Sequence, residues 1–194
     1  MNVRATELVG GRSNHAHLTK KGKRQALLAG QWLLEHNVSP SLVVSSPATR
    51  TLETAQQALR GMHSAAPIIT DDRLQELSQG IMEGKPRQEV WNEAAVQQLQ
   101  RAPMMFAHPG GESWYEVQQR MLEWYEETAD RHPHDETILV AAHGLATRAL
   151  VGLLLGWSHA QMMSTETTNC SLTKIIRTDT DDIVEYVGKE IITP

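Results

Sequence analysis

The sequence predicts an α/β fold, a three-layer arrangement in which helices flank a mostly parallel sheet. Three observations carry that expectation. Short apolar runs at residues 41–45, 67–70 and 137–142 alternate with longer stretches of helical spacing, the pattern of strand–helix–strand units. The run at 137–142 is apolar without alternation, as in a strand covered on both faces. The length of 194 residues, with 40% hydrophobic and 21% charged residues, suits a folding chain with one sizeable core, so residues 1–194 are expected to form a single domain.

The elements follow in order. Residues 20–36 carry Ala26, Leu27, Gly30, Leu33 and Leu34 at helical spacing, with Thr19 available as N-cap. The β-branched run 41–45 follows Pro40, and Ser46-Pro47 supplies an N-cap and a first-turn proline for a helix over 48–59. A strand is expected at 67–70 and helices at 87–101 and 113–131, the second opened by the capping box Ser113-x-x-Glu116. The strand at 137–142 leads into a helix over 145–155. Residues 171–177 and 183–187, joined by the Asp- and Thr-rich stretch 178–182, read as a terminal hairpin.

Composition excludes several function classes. Eighteen Lys and Arg against 23 Asp and Glu give a net charge of −5, the wrong sign for a general nucleic-acid or anionic-membrane binder. No apolar run reaches the roughly 20 residues of a membrane span, and the N-terminus lacks a signal-peptide core. The single cysteine, Cys170, forms no internal disulfide, so a cytoplasmic setting is expected. Cys170 and Arg177 miss the C-x5-R spacing of cysteine phosphatases, and Asp179-Thr180-Asp181 falls in the hairpin turn rather than after a first strand. No G-x-S-x-G elbow or GxxxxGK[ST] loop is present.

In parallel α/β sheets, ligands bind at the carboxyl ends of the strands, and three chemically able residues are expected there. His143 ends the 137–142 run and precedes a helix whose N-terminal amides favour anions. Arg50 lies in the first turn of a helix, where a cation opposes the dipole and wants an anionic partner: Glu53, Glu76 or a substrate phosphate. Glu76 follows the 67–70 strand. Together an arginine, a histidine and a carboxylic acid suit phosphoryl transfer, in which cations stabilise the phosphoryl oxygens and an acid protonates the leaving oxygen. Each also has a bland reading, as a core histidine, an ion-paired arginine and a solvated glutamate.

Five ordered motifs narrow the choice. Residues 18–22 read LTKKG, 45–55 read SSPATRTLETA, 73–76 read RLQE followed by Gly80, Glu83 and Gly84, 109–113 read PGGES, and 140–144 read VAAHG. In this order they resemble the histidine phosphatase superfamily, the phosphoglycerate mutase-like enzymes. The resemblance implies that Arg50 grips the transferring phosphate, that Glu76 is the general acid and base, and that His143 is a second histidine donating to the phosphoryl oxygens. Arg4 would add a phosphate-binding cation if it occupies the motif position. No metal or cofactor is implied, and the partner is a small phosphorylated substrate.

The same resemblance exposes a departure. The family begins with a strand ending in Arg-His-Gly, whose histidine is the nucleophile, and this sequence has no such triplet. Val3-Arg4-Ala5-Thr6-Glu7 aligns with VRHGxTE only if His and Gly are deleted between Arg4 and Ala5, or else the chain begins just downstream of the motif. Either way the first strand is expected to be truncated. Phosphate binding survives this loss; a covalent phosphohistidine does not. The expected function is therefore a metal-independent phosphomonoester phosphatase, impaired in this chain, with an inactive member binding a phosphorylated small molecule or a protein partner as the other reading. Between residues 82 and 111 only Lys85, Arg87 and Arg101 are cationic, which favours a phosphatase over a mutase. His15 and His17 read as exposed loop histidines, and Trp91, Met104, Met105, Phe106 and Trp114 as core or as an apolar substrate wall.

Overall fold

A computed structural model of the chain describes residues 7–132 and 136–191. The expected truncated first strand, and Arg4 with it, fall on residues 1–6, outside the described residues. The described elements are α1 (Lys20–Glu35), β1 (Leu42–Ser45), α2 (Thr49–Met62), β2 (Ile68–Thr70), α3 (Arg87–Val90), α4 (Glu93–Arg101) and α5 (Trp114–Arg131). They continue with β3 (Ile138–Ala141), α6 (Gly144–Leu154), α7 (His159–Ser164), β4 (Leu172–Arg177) and β5 (Asp182–Lys189).

A parallel sheet in the order β2-β1-β3 forms the middle layer, as the strand–helix alternation predicts, and β4 and β5 make an antiparallel hairpin. The register sets Ser45 opposite both Thr70 and Ala141, so the three parallel strands end level. Alternation along β1 assigns the two faces. Val43 joins Ala55 and Leu59 of α2, whereas Val44 points into a larger cluster with Trp114, Val117, Met121 and Trp124 of α5 and Ala149 and Leu150 of α6. In the outer layer α1 crosses α2 at a glycine contact. A Cβ built on Gly30 would stand 1.9 Å from the Ala58 carbonyl oxygen, so only glycine permits this approach.

Capping by Thr19 and the Ser113/Glu116 box are present as the sequence predicts. Three expectations need correction. The 87–101 helix is two helices, because the Asn92 side chain accepts from the Ala95 amide and caps a new start at Glu93. The helix after β1 takes Ala48 as its N-cap, with no side-chain cap bond, and the fully buried Ser46 hydroxyl reaches only the Ala48 amide, at 3.4 Å, beside its bond to His143. Finally, β3 is covered only in part: Val140 is 37% exposed, and both β3 and the hairpin strand β4 border a common cavity. Among the described residues no helix is long and apolar enough to cross a membrane.

Candidate functional site

Level strand ends gather residues that are distant in sequence. Ser46 leaves β1, Arg50 is the second residue of α2, Glu76 follows β2 through a single turn of 3-10 helix over Asp72–Leu74, and His143 sits between β3 and α6. Arg50 Nη2 lies 3.1 Å from His143 Nδ1. The same guanidinium donates to the carbonyl oxygens of Ser13 at 2.8 Å and Gly11 at 3.3 Å. Neither Glu53 nor Glu76 forms an ion pair with it. Glu53 instead takes His17, Lys23 and the Leu18 amide, while Glu76 and Glu83 act on Arg50 by charge alone.

The hydrogen-bond partners assign the His143 tautomer. Nδ1 faces a guanidinium, which can only donate, so Nδ1 accepts and the proton sits on Nε2, which donates to Ser46 Oγ at 2.9 Å. Burial, reinforced by the charges of Arg50 and Arg120, pushes the imidazole pKa down to about 3. His143 is therefore a neutral ring at pH 7, whose Nδ1 lone pair must be given up before it can donate to an anion.

Glu76 occupies the position that the sequence assigned to a bound anion. Its carboxylate accepts from the Ala146 amide at 3.1 Å and the Leu145 amide at 3.3 Å, both in the first turn of α6, and from the Leu77 amide at 2.9 Å. The α6 amides thus serve a side chain of the protein itself, which corrects the expectation that they face a ligand. Desolvation raises the Glu76 carboxyl above the usual range, against the lowering effect of the three amides and of Arg50.

Some participants escape a reading of the sequence. Ser46 passes for a cap, and Arg12 for a loop cation, although Arg12 Nε donates to the Glu76 carbonyl at 3.2 Å. Arg120 carried a signal: it interrupts the buried α5 stripe of Val117, Met121 and Trp124, where a cation needs a partner. His17 pairs with Glu53 and His15 is exposed. Trp114 is core, Trp91 and Phe106 border the cavity, and Met105 is exposed. Among the described residues no group of three His, Cys, Asp or Glu could hold a metal ion.

The model of the histidine phosphatase superfamily (branch 1) matches residues 3–188. The chain belongs to this family. It is 32% identical over 184 residues to a 2,3-bisphosphoglycerate-dependent phosphoglycerate mutase of Bartonella quintana, spanning 91% of this chain and 86% of that protein. Among solved structures, YhfR of Bacillus stearothermophilus superposes with a TM-score of 0.84 at 28% identity, over 97% of this chain and 92% of that one. The mycobacterial glucosyl-3-phosphoglycerate phosphatase Rv2419c with inorganic phosphate shares the fold, with a TM-score of 0.73 at 24% identity over 86% of this chain and 83% of that one. The phosphoglycerate mutase-like α/β architecture expected of this histidine phosphatase chain is the one it adopts.

Proposed function

We propose that Arg50 and His143 bind the phosphoryl group of a small phosphomonoester and that Glu76 supplies the proton to its leaving alcohol, making the chain a phosphatase-type member of its family. The observation that carries this is the 3.1 Å approach of Arg50 to His143 at the carboxyl edge of a parallel sheet, with the desolvated Glu76 carboxyl anchored on the first turn of α6. A guanidinium matches two phosphoryl oxygens at once, and the Nδ1 edge of His143 becomes a second donor once protonated. A carboxyl whose pKa is raised by desolvation keeps its proton to higher pH, which suits a general acid. Retention of Glu76 favours turnover over mere binding, because an ionised carboxylate would repel a phosphate. Arg4 joins this reading as a further phosphate-binding cation, and so do a cytoplasmic setting and a phosphatase, rather than mutase, reaction.

A second reading is a phosphate-binding member without turnover, favoured by the lack of any Arg-His-Gly triplet in the sequence. Without an imidazole to attack phosphorus, the phosphoryl group has no acceptor through which a phosphoenzyme could form. Hydrolysis of a generic phosphomonoester by this chain, beside a variant with His-Gly inserted between Arg4 and Ala5, decides between them. The inserted variant is expected to hydrolyse it more than about tenfold faster. Rates within tenfold of each other would refute the impairment, and no hydrolysis by either protein would refute the phosphatase.

A further inference from the structure

Glu112, from the PGGES motif, forms no hydrogen bond to Arg50 or His143, yet each oxygen of its carboxylate is used. Oε1 meets Arg12 Nη2 at 2.8 Å and Arg120 Nε at 2.9 Å; Oε2 meets Arg120 Nη2 and the Ser78 amide, each at 3.0 Å. The two arginines come from unrelated parts of the chain, a loop before α1 and the middle of α5. Both reach the same atom, the Glu76 carbonyl oxygen, Arg12 through Nε at 3.2 Å and Arg120 through Nη2 at 3.3 Å. Arg120 Nη1 also donates to the Arg73 carbonyl. One carboxylate thus clamps residues 76–78 from two sides: it holds the Ser78 amide directly and the Glu76 carbonyl through two guanidiniums.

We propose that Glu112 is a positioning residue for Glu76, fixing the place of its carboxyl by locking Arg12 and Arg120 onto its backbone; this rests on the reading of Glu76 as the proton donor. The physical need is clear from what surrounds Glu76. Its carboxyl hangs from three backbone amides, and a displacement of residues 76–78 by a fraction of an ångström breaks their alignment and misdirects the proton. Glycines hold the clamp close. Gly80 lies at φ +57, and a Cβ there would stand 2.2 Å from the Pro109 carbonyl oxygen, so the 78–83 turn lies directly on the loop that carries Glu112. Burial pushes the Glu112 carboxyl up, but the bonds from Arg120 and the Ser78 amide and the charges of both arginines outweigh it, so Glu112 stays ionised.

Charge adds a second consequence. The cations around Glu76 are Arg50 of α2, Arg148 of α6, Arg120 of α5 and Arg12, with neutral His143 beside Arg50 and the Glu83 side chain accepting from the Arg12 amide. Glu112 pairs with two of them, Arg12 and Arg120, and offsets one unit of their charge. Glu112→Gln removes that one negative charge beside two guanidiniums, which favours the ionised Glu76 and lowers its titration midpoint.

The test uses the chain itself. Carbon-13 labelling of glutamate carboxyls, with the Glu76 signal assigned by its loss in Glu76→Gln, follows the titration in wild type and in Glu112→Gln. The expected result is a midpoint lower by about half a pH unit or more in Glu112→Gln, with a shift in the opposite direction in Arg12→Gln, which removes one of the cations. An unchanged midpoint in folded Glu112→Gln, or in Arg12→Gln should the first variant fail to fold, overturns the proposal. In the His-Gly-inserted protein, Glu112→Gln should lower kcat on an alkyl phosphate about tenfold more than on a nitrophenyl phosphate, whose leaving group needs no proton, with KM little changed on both. Equal losses on the two esters would mark a merely structural role and overturn the proposal. If the inserted protein hydrolyses neither ester while the titration still shifts, the proton-donor reading of Glu76 fails and the coupling of Glu112 to Glu76 stands.

Discussion

Arg50 Nη2 points at the lone pair of His143 Nδ1 from 3.1 Å, although the two residues are 93 positions apart in the chain. Two groups suited to hold an anion hold each other. A dianion that takes the guanidinium must also turn Nδ1 from acceptor to donor, and because Nε2–H is committed to Ser46, the ring must gain a proton.

Anion binding is therefore expected to take up protons. Calorimetry with sulfate, whose own charge is fixed near neutrality, in buffers of different ionisation heat at about pH 6 should register close to one proton gained per anion, with affinity falling as pH rises. Sulfate binding without proton uptake would show that His143 stays neutral in the complex.

Folding stability should carry the mark of the same imidazole. Its pKa is about 3 in the folded state against 6.5 ordinarily, so between those values the unfolded chain binds more protons. The contribution of His143 is present above pH 6.5 and is lost as pH falls toward 3. His143→Asn should show a shallower loss of denaturant midpoint between pH 7 and pH 4 than wild type does. Parallel curves for the two proteins would contradict the depressed pKa.

Ser46→Ala removes the acceptor of the Nε2 proton and leaves a buried donor unpaired. The cost is expected to be about 1–2 kcal/mol in unfolding free energy, together with weaker sulfate binding. Nitrogen-15 imidazole shifts should report loss of the single tautomer; an unaltered tautomer in Ser46→Ala would mean that Arg50 alone sets it.

Gly30→Ala tests the outer layer independently of the site. The added methyl meets the Ala58 backbone, which cannot yield without separating α1 from α2, so a loss of about 2 kcal/mol or more is expected in chemical denaturation, with sulfate affinity per folded molecule retained. A neutral effect would show that the two helices part easily.

Strand and helix periods were sufficient to place the parallel strands and the long helices, because apolar spacing reports directly which face of each element is buried. They failed where a polar side chain chose a partner distant in sequence. Ser46 has the residue type of a helix cap, yet Ala48 is the cap, and the Ser46 hydroxyl accepts from His143 as well as, more weakly, from the Ala48 amide. Asn92 breaks a helix that periodicity ran straight through, by a local bond that hydrophobic spacing cannot register.

The sequence by itself determined that Arg50, Glu76 and His143 each follow a strand, and parallel strands ending level bring such residues to one edge. Tertiary structure decided what they do there: Arg50 against a neutral His143, and Glu76, rather than a ligand, on the α6 amides. Periodicity records burial, which is a property of one residue and its element. Hydrogen-bond pairing and desolvation depend on atoms that only the folded chain brings within 3 Å or so of each other, and no spacing along the polymer encodes them.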